Sequence, residues 1–169
     1  ASLLPGQVRG AFVWDFQLDA EARVTSTALR RARVKSTAKL DYLGVQKAIN
    51  DGTADANLAL LREIGRKRVA LEIARGAANL TLPETEVDEV DGGYVLVRRQ
   101  PQPTEDWNAQ LSLMTGMAAA ELMIGAKVGI LRTMPAPEQW ATDRFRRQTN
   151  ALGRPWPESQ PYGEYLRAL

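Results

Sequence analysis

Arg31, Arg33 and Lys35 stand two residues apart, alternating with Ala32 and Val34. On a β-strand that spacing sends all three side chains out of one face, roughly 6.5 to 7 Å apart. The distance suits successive phosphates of an extended single strand, so the row would bind RNA by charge without reading its bases. Lys39 adds a fourth charge if the strand persists that far, and Tyr42 follows, able to stack on a base. An ordinary solvated sheet face, and for Tyr42 a core or capping contact, are the competing explanations.

Other clusters are less specific. Glu84, Glu86 and Asp88, with Glu89 and Asp91, offer hard oxygen ligands of the kind magnesium or calcium takes, but alternation puts the first three on one exposed strand face. Arg62, Arg66, Lys67 and Arg68 make a basic patch on a helix, as do Arg144, Arg146 and Arg147 near Trp140 and Phe145. Solvated helix faces carry the same residues. Cysteine and histidine are both absent, which removes disulfides, thiolate metal sites, imidazole bases and every Ser-His-Asp triad. No residue is assigned to catalysis or to a metal. With 22 basic against 20 acidic side chains the net charge is only +2, so affinity for polyanions must come from local clustering.

The elements that must position these residues follow from periodicity. Gly10 to Asp19, with Phe12, Trp14, Phe16 and Leu18 alternating, reads as a half-buried strand, and Arg23 to Lys39 as its antiparallel partner across a turn at Asp19 to Ala22. A short helix from Leu40 or Asp41 stops at Asn50-Asp51-Gly52, and a longer one runs from about Ala54 to Ala74, with Leu58, Leu61, Ile64 and Leu71 near one face. Leu80 to Val90 and Tyr94 to Arg99 flank Asp91-Gly92-Gly93, the best hairpin signal in the chain. A helix from Thr104 directs Leu111, Met114, Ala118, Leu122 and Met123 toward a core. Val128 to Arg132 is short and apolar, and two more helices carry Trp140 with Phe145 and Tyr162 to Leu169. The expected class is α+β, a mixed, largely antiparallel sheet with flanking helices. No apolar run reaches the roughly 18 residues that span a bilayer, so no membrane partner is expected and a cytoplasmic location is the default.

Several segments, in one order, resemble the middle of the catalytic domain of ribonuclease II family exoribonucleases, in the version of a bacterial branch. They are Ser2-Leu3-Leu4-Pro5-Gly6; the basic strand and Leu-x-Tyr-x-x-Val start over Arg33 to Val45; Arg75-Gly76-Ala77 followed by Pro83-Glu84; Asn108 to Ala120; and Gly129 to Pro135. The resemblance implies a processive 3′-to-5′ enzyme that hydrolyses single-stranded RNA to nucleoside monophosphates with magnesium. It adds Arg75 and Arg132 to the RNA-binding candidates Arg31, Arg33, Lys35, Lys39 and Tyr42.

Departures matter for mechanism. The family's magnesium-binding aspartates lie N-terminal to this stretch and its Ser-Pro-x-Arg-Arg-Tyr motif C-terminal to it, and neither is here; many relatives carry Asn at the place of Gly116 and His near Met134. Residue 1 is Ala, and Tyr165 to Leu169 stops inside a helical pattern, so both ends read as cut. Residues 1–169 are thus expected to be part of a single catalytic domain. The expected partners are single-stranded RNA and the remainder of that domain, with magnesium belonging to the parent enzyme and none held by this stretch. A non-catalytic RNA-binding fragment and a protein-interaction piece are the alternatives.

Overall fold

The computed structural model describes residues 2–79, 83–133 and 135–169. Strand β1 (Val8–Leu18) pairs antiparallel with β2 (Val24–Lys35), from Val8 opposite Lys35 to Leu18 opposite Val24. Asp19 builds the turn between them, its Oδ1 accepting the N–H groups of Glu21 at 3.0 Å and Arg23 at 2.7 Å. Asp41 caps α1 (Tyr42–Asn50) by accepting the Gly44 N–H at 2.8 Å, and Asp55 caps α2 (Ala56–Ala74) through Leu58 at 2.9 Å. The α2 helix closes at Gly76, whose φ of 74° needs a residue without a Cβ.

A second hairpin, β3 (Glu84–Val90) and β4 (Gly93–Arg99), turns through Asp91 and Gly92 at φ values of 52° and 75°. Two left-handed residues give the turn the right-handed twist that its strands require. Then come α3 (Pro103–Ala126), α4 (Gln139–Ala151) and α5 (Tyr162–Arg167). Val45, Ile49 and Trp107 form the core, with Leu58 and Leu61 against it. The helices α2 and α3 meet where Gly65 faces Trp107, so closely that a Cβ on residue 65 would lie 2.3 Å from the Trp107 Cβ. Thr104, 1% exposed, ties α3 to α1: its N–H donates to Gln46 Oε1 at 3.1 Å and its hydroxyl to the Tyr42 carbonyl at 3.2 Å. Near the C-terminus Phe145, Trp156, Tyr162 and Tyr165 pack ring against ring, and the Arg146 guanidinium lies 4.5 Å from the Trp156 ring centre.

The α+β class and the antiparallel pairing are as the periodicity implies, but the strands form two separate two-stranded sheets. Leu80 to Leu82 lie outside the described residues, and β3 begins at Glu84. Phe12 is not half-buried with Trp14 and Phe16: it is 67% exposed, because β1 and β2 pair only with each other and no helix covers that end of the face. Leu122, expected in the core, is 46% exposed. The buried stripe Trp107, Gln110, Met114, Ala118 leads to it, but α2 ends at Ala74, beside Ala118, and leaves nothing for the next turn of α3 to pack on. The segment Val128 to Arg132 is exposed and outside regular structure. No helix among the described residues is long and apolar enough to cross a membrane.

The β3–β4 hairpin is tied to α3 through Arg99. Its guanidinium donates to Glu86 and Glu105 at 2.8 and 2.7 Å and also pairs with Glu84, directly across the ladder. The Arg99 hydrogen bond, then that from the Gln102 N–H, holds the Glu105 carboxyl below the ordinary carboxylate range. A carboxyl with a depressed folded pKa contributes stability above its unfolded value, near 4.3, which is lost as pH falls through the lower folded value. Arg99→Gln at neutral pH, and acidification below about pH 4 in the parent protein, are both expected to lower the amide-exchange protection factors across β3 and β4, each rate being divided by the intrinsic rate at that pH. Protection unchanged by either would show that the hairpin holds without the ion cluster.

Candidate nucleic-acid interface

The β1–β2 register decides which side chains share a face. Lys35, Arg33 and Arg31 stand opposite Val8, Gly10 and Phe12, so the basic row and the aromatic row Phe12, Trp14, Phe16 lie on one face. All three cations are exposed, and none has an ion partner within 4.0 Å among the described residues. Arg30, on the opposite face, is neutralised by Asp15 at 2.8 Å. Gly10 contributes no side chain opposite Arg33, and an open cleft of about 400 Å³ lies over Gly10, Phe12, Arg31 and Arg33. The Arg31 guanidinium is 5.8 Å from the Phe12 ring centre, and Trp14 and Phe16 stack at 5.9 Å with planes 5° apart. Cations at roughly 6.5 to 7 Å intervals beside an uncovered ring can hold a polyanionic strand and stack one of its bases.

Lys39 does not join the row. The strand ends at Lys35 because β1 has no residue left to pair: Pro5 meets Ser36 in a parallel bridge and the Gly6 N–H donates to the Ser36 carbonyl at 2.8 Å. Tyr42 sits in the first turn of α1, 44% exposed, its hydroxyl accepting from Asn108 Nδ2 at 3.0 Å. Its ring borders a separate cleft of about 580 Å³ with Leu40, Leu58, Leu61 and Asn108. Arg75 caps the C-terminus of α2 beside the β1–β2 turn, away from the row. Arg132 is exposed and shares no hydrogen bond or cleft with the others among the described residues.

Two features escaped sequence reasoning. Alternation alone puts Phe12 on the core side of an amphipathic strand, and only the cross-strand register puts it among the arginines. Arg68, placed in a solvated basic patch by helical spacing, is 5% exposed and donates from Nη1 to the Ala22 carbonyl at 3.2 Å. Its pKa is lowered by burial and by neighbouring Arg75. A helical wheel centred on Gly65 could have flagged Arg68, one turn on and on the same side.

The residues present do not fit a magnesium ion. Among the described residues no group of three or more carboxylates converges, and Glu84 and Glu86, the most suggestive pair, are both bound to Arg99.

The RNB domain family model matches residues 1–164. No curated protein sequence matches the chain. Solved structures similar to it include Mycoplasma genitalium RNase R in complex with ribose methylated single-stranded RNA (TM-score 0.83, 18% identity) and its apo form (TM-score 0.82, 17% identity). Each match covers 99% of this chain and 29% of that one. The same enzyme in complex with double-stranded RNA matches at TM-score 0.80 and 18% identity, over 99% of this chain and 33% of that one. At such identity the structures establish a common fold. With that fold and a family match over all but the last five residues, the chain belongs to the RNB domain family.

Proposed function

We propose that this chain is the RNA-path portion of a 3′-to-5′ exoribonuclease that hydrolyses single-stranded RNA to nucleoside monophosphates with magnesium. The observation that carries the proposal is the uncovered β1–β2 face, where three unpaired cations and an exposed Phe12 share one surface. In this reading Arg31, Arg33 and Lys35 hold backbone phosphates and Phe12 stacks on a base, while Tyr42 and Arg132 are further contacts away from this face. The metal-binding aspartates are supplied by the remainder of the catalytic domain, and the enzyme works in the cytoplasm. The chain spans only 29% to 33% of the RNase R structures it resembles. An apolar face of the β3–β4 hairpin, with Val87 62%, Tyr94 76% and Leu96 76% exposed, is of the kind that packs against such a remainder.

The test is to incubate the full-length protein with single-stranded RNA labelled uniformly along its length and to follow products with time. Mononucleotides accumulating with magnesium and ceasing with a chelator support the proposal. RNA binding without hydrolysis under those conditions would select the non-catalytic RNA-binding reading instead. Residues 1–169 alone are expected to release no mononucleotides above background, since among the described residues no group of three or more carboxylates converges to hold an ion and an attacking water. Magnesium-dependent release that persists through repurification would overturn that expectation.

A further inference from the structure

Arg68 is an almost fully buried cation with no carboxylate within 4.0 Å among the described residues. Among the described residues only its Nη1 finds a hydrogen-bond partner, the Ala22 carbonyl at 3.2 Å, and its Nε is buried without one. A buried guanidinium left in this way is costly unless something neutralises it. It borders a cleft of about 360 Å³ between the β1–β2 turn and helices α2 and α3, with Arg75 at the rim and Leu71, Met114 and Met117 on the walls. Arg75 has no ion partner among the described residues. Of the other charges there, Arg23 is already neutralised by Asp19 at 3.7 Å and Glu21 at 3.4 Å, and Glu121 faces the cleft from α3 without an ion pair.

We propose that this cleft is a binding site for a phosphoryl group, with Arg68 as the buried donor and Arg75 as the second cation at the rim. Two cations without partners match the two charges of a phosphate monoester, and the Arg68 Nη2, which has no hydrogen-bond partner among the described residues, offers donors of the kind that phosphate oxygens accept. The cleft is several times larger than a phosphate ion, and its apolar wall of Leu71, Met114 and Met117 can take a base, so the ligand class is a nucleoside monophosphate. The site is distinct from the hairpin row. Seven residue steps along β2 separate Val24 at the cleft from Arg31, about 23 Å along an extended strand.

The experiment uses the full chain and measures thermal unfolding against inorganic phosphate, a nucleoside monophosphate and a short single-stranded oligonucleotide without terminal phosphates, at low millimolar concentrations where salting-out is negligible. Phosphate and the nucleotide are expected to raise Tm saturably in the parent protein, and Arg68→Met should weaken both at least about tenfold. Arg75→Gln, an exposed change that leaves the fold intact, should weaken them about threefold, and decides the matter if Arg68→Met does not fold. Glu121→Gln should strengthen them. A rise with the oligonucleotide that is lost in Arg68→Met assigns the site to a strand phosphate, whereas a rise confined to phosphate and the nucleotide assigns it to a free monoester. The proposal is overturned by no saturable rise in the parent protein, by a rise unchanged in both arginine variants, or by an equal rise with acetate, which would mark a pocket for a protein carboxylate.

Discussion

Replacing Arg31, Arg33 and Lys35 together by Ala in the full-length protein is expected to weaken single-stranded RNA binding about a hundredfold at 0.1 M salt. Each phosphate contact contributes a slope of roughly −0.7 to log affinity against log salt on single strands. Three contacts give a slope change of about two units, which at 0.1 M is about two decades of affinity. The loss should be nearly equal for poly-A and poly-U, because flexible cations on a strand touch backbone and not base edges. Phe12→Ala should also weaken binding, by about 1–3 kcal/mol, but with the salt slope unchanged, since stacking releases no counterions. Fluorescence titration at four salt concentrations separates the two effects. An ordinary solvated face predicts no change in affinity or slope, and a loss confined to one homopolymer would mean that bases are being read.

Trp107→Ala is expected to cost about 3–5 kcal/mol of folding free energy, the usual range for emptying a buried aromatic site. Trp107 is 8% exposed and joins α3 to both α1 and α2 through Val45, Ile49, Leu58 and Leu61. Helix α1 cannot move in to fill the cavity without giving up the Thr104 hydrogen bonds that set α3 against it. Gly65→Ala tests the same contact from the other side. In an open helix that change gains about 0.5–1 kcal/mol, whereas here the new methyl would lie 2.3 Å from the Trp107 Cβ. Overpacking of about 1–3 kcal/mol outweighs the propensity gain, so the variant should be less stable than the parent. Urea unfolding of both variants reads these values, and a stabilised Gly65→Ala protein would mean that the two helices do not meet at this glycine.

Local chemistry in the sequence was enough to locate most elements. Asp41 opens α1 where a short acceptor precedes an apolar run, and Asp91-Gly92 makes the hairpin turn that only residues tolerant of positive φ can make. Spacing two also put Arg31, Arg33 and Lys35 on one face, since alternation on a strand is a property of the backbone alone. Family membership was legible from segments in fixed order, a pattern no single motif carries. What the sequence could not supply was anything decided between elements. Which aromatic residue stands among the arginines depends on strand register, because a shift of one residue moves every side chain to the other face. Whether Arg68 meets water or the Ala22 carbonyl depends on where a turn 46 residues away comes to rest. Lys39 lost its place in the row because β1 had no residue left to pair with it, and Leu122 its place in the core because α2 ended too soon. Burial depends on a neighbour's length and position, and those are set by the balance of packing over the whole chain, not by the residues of one element.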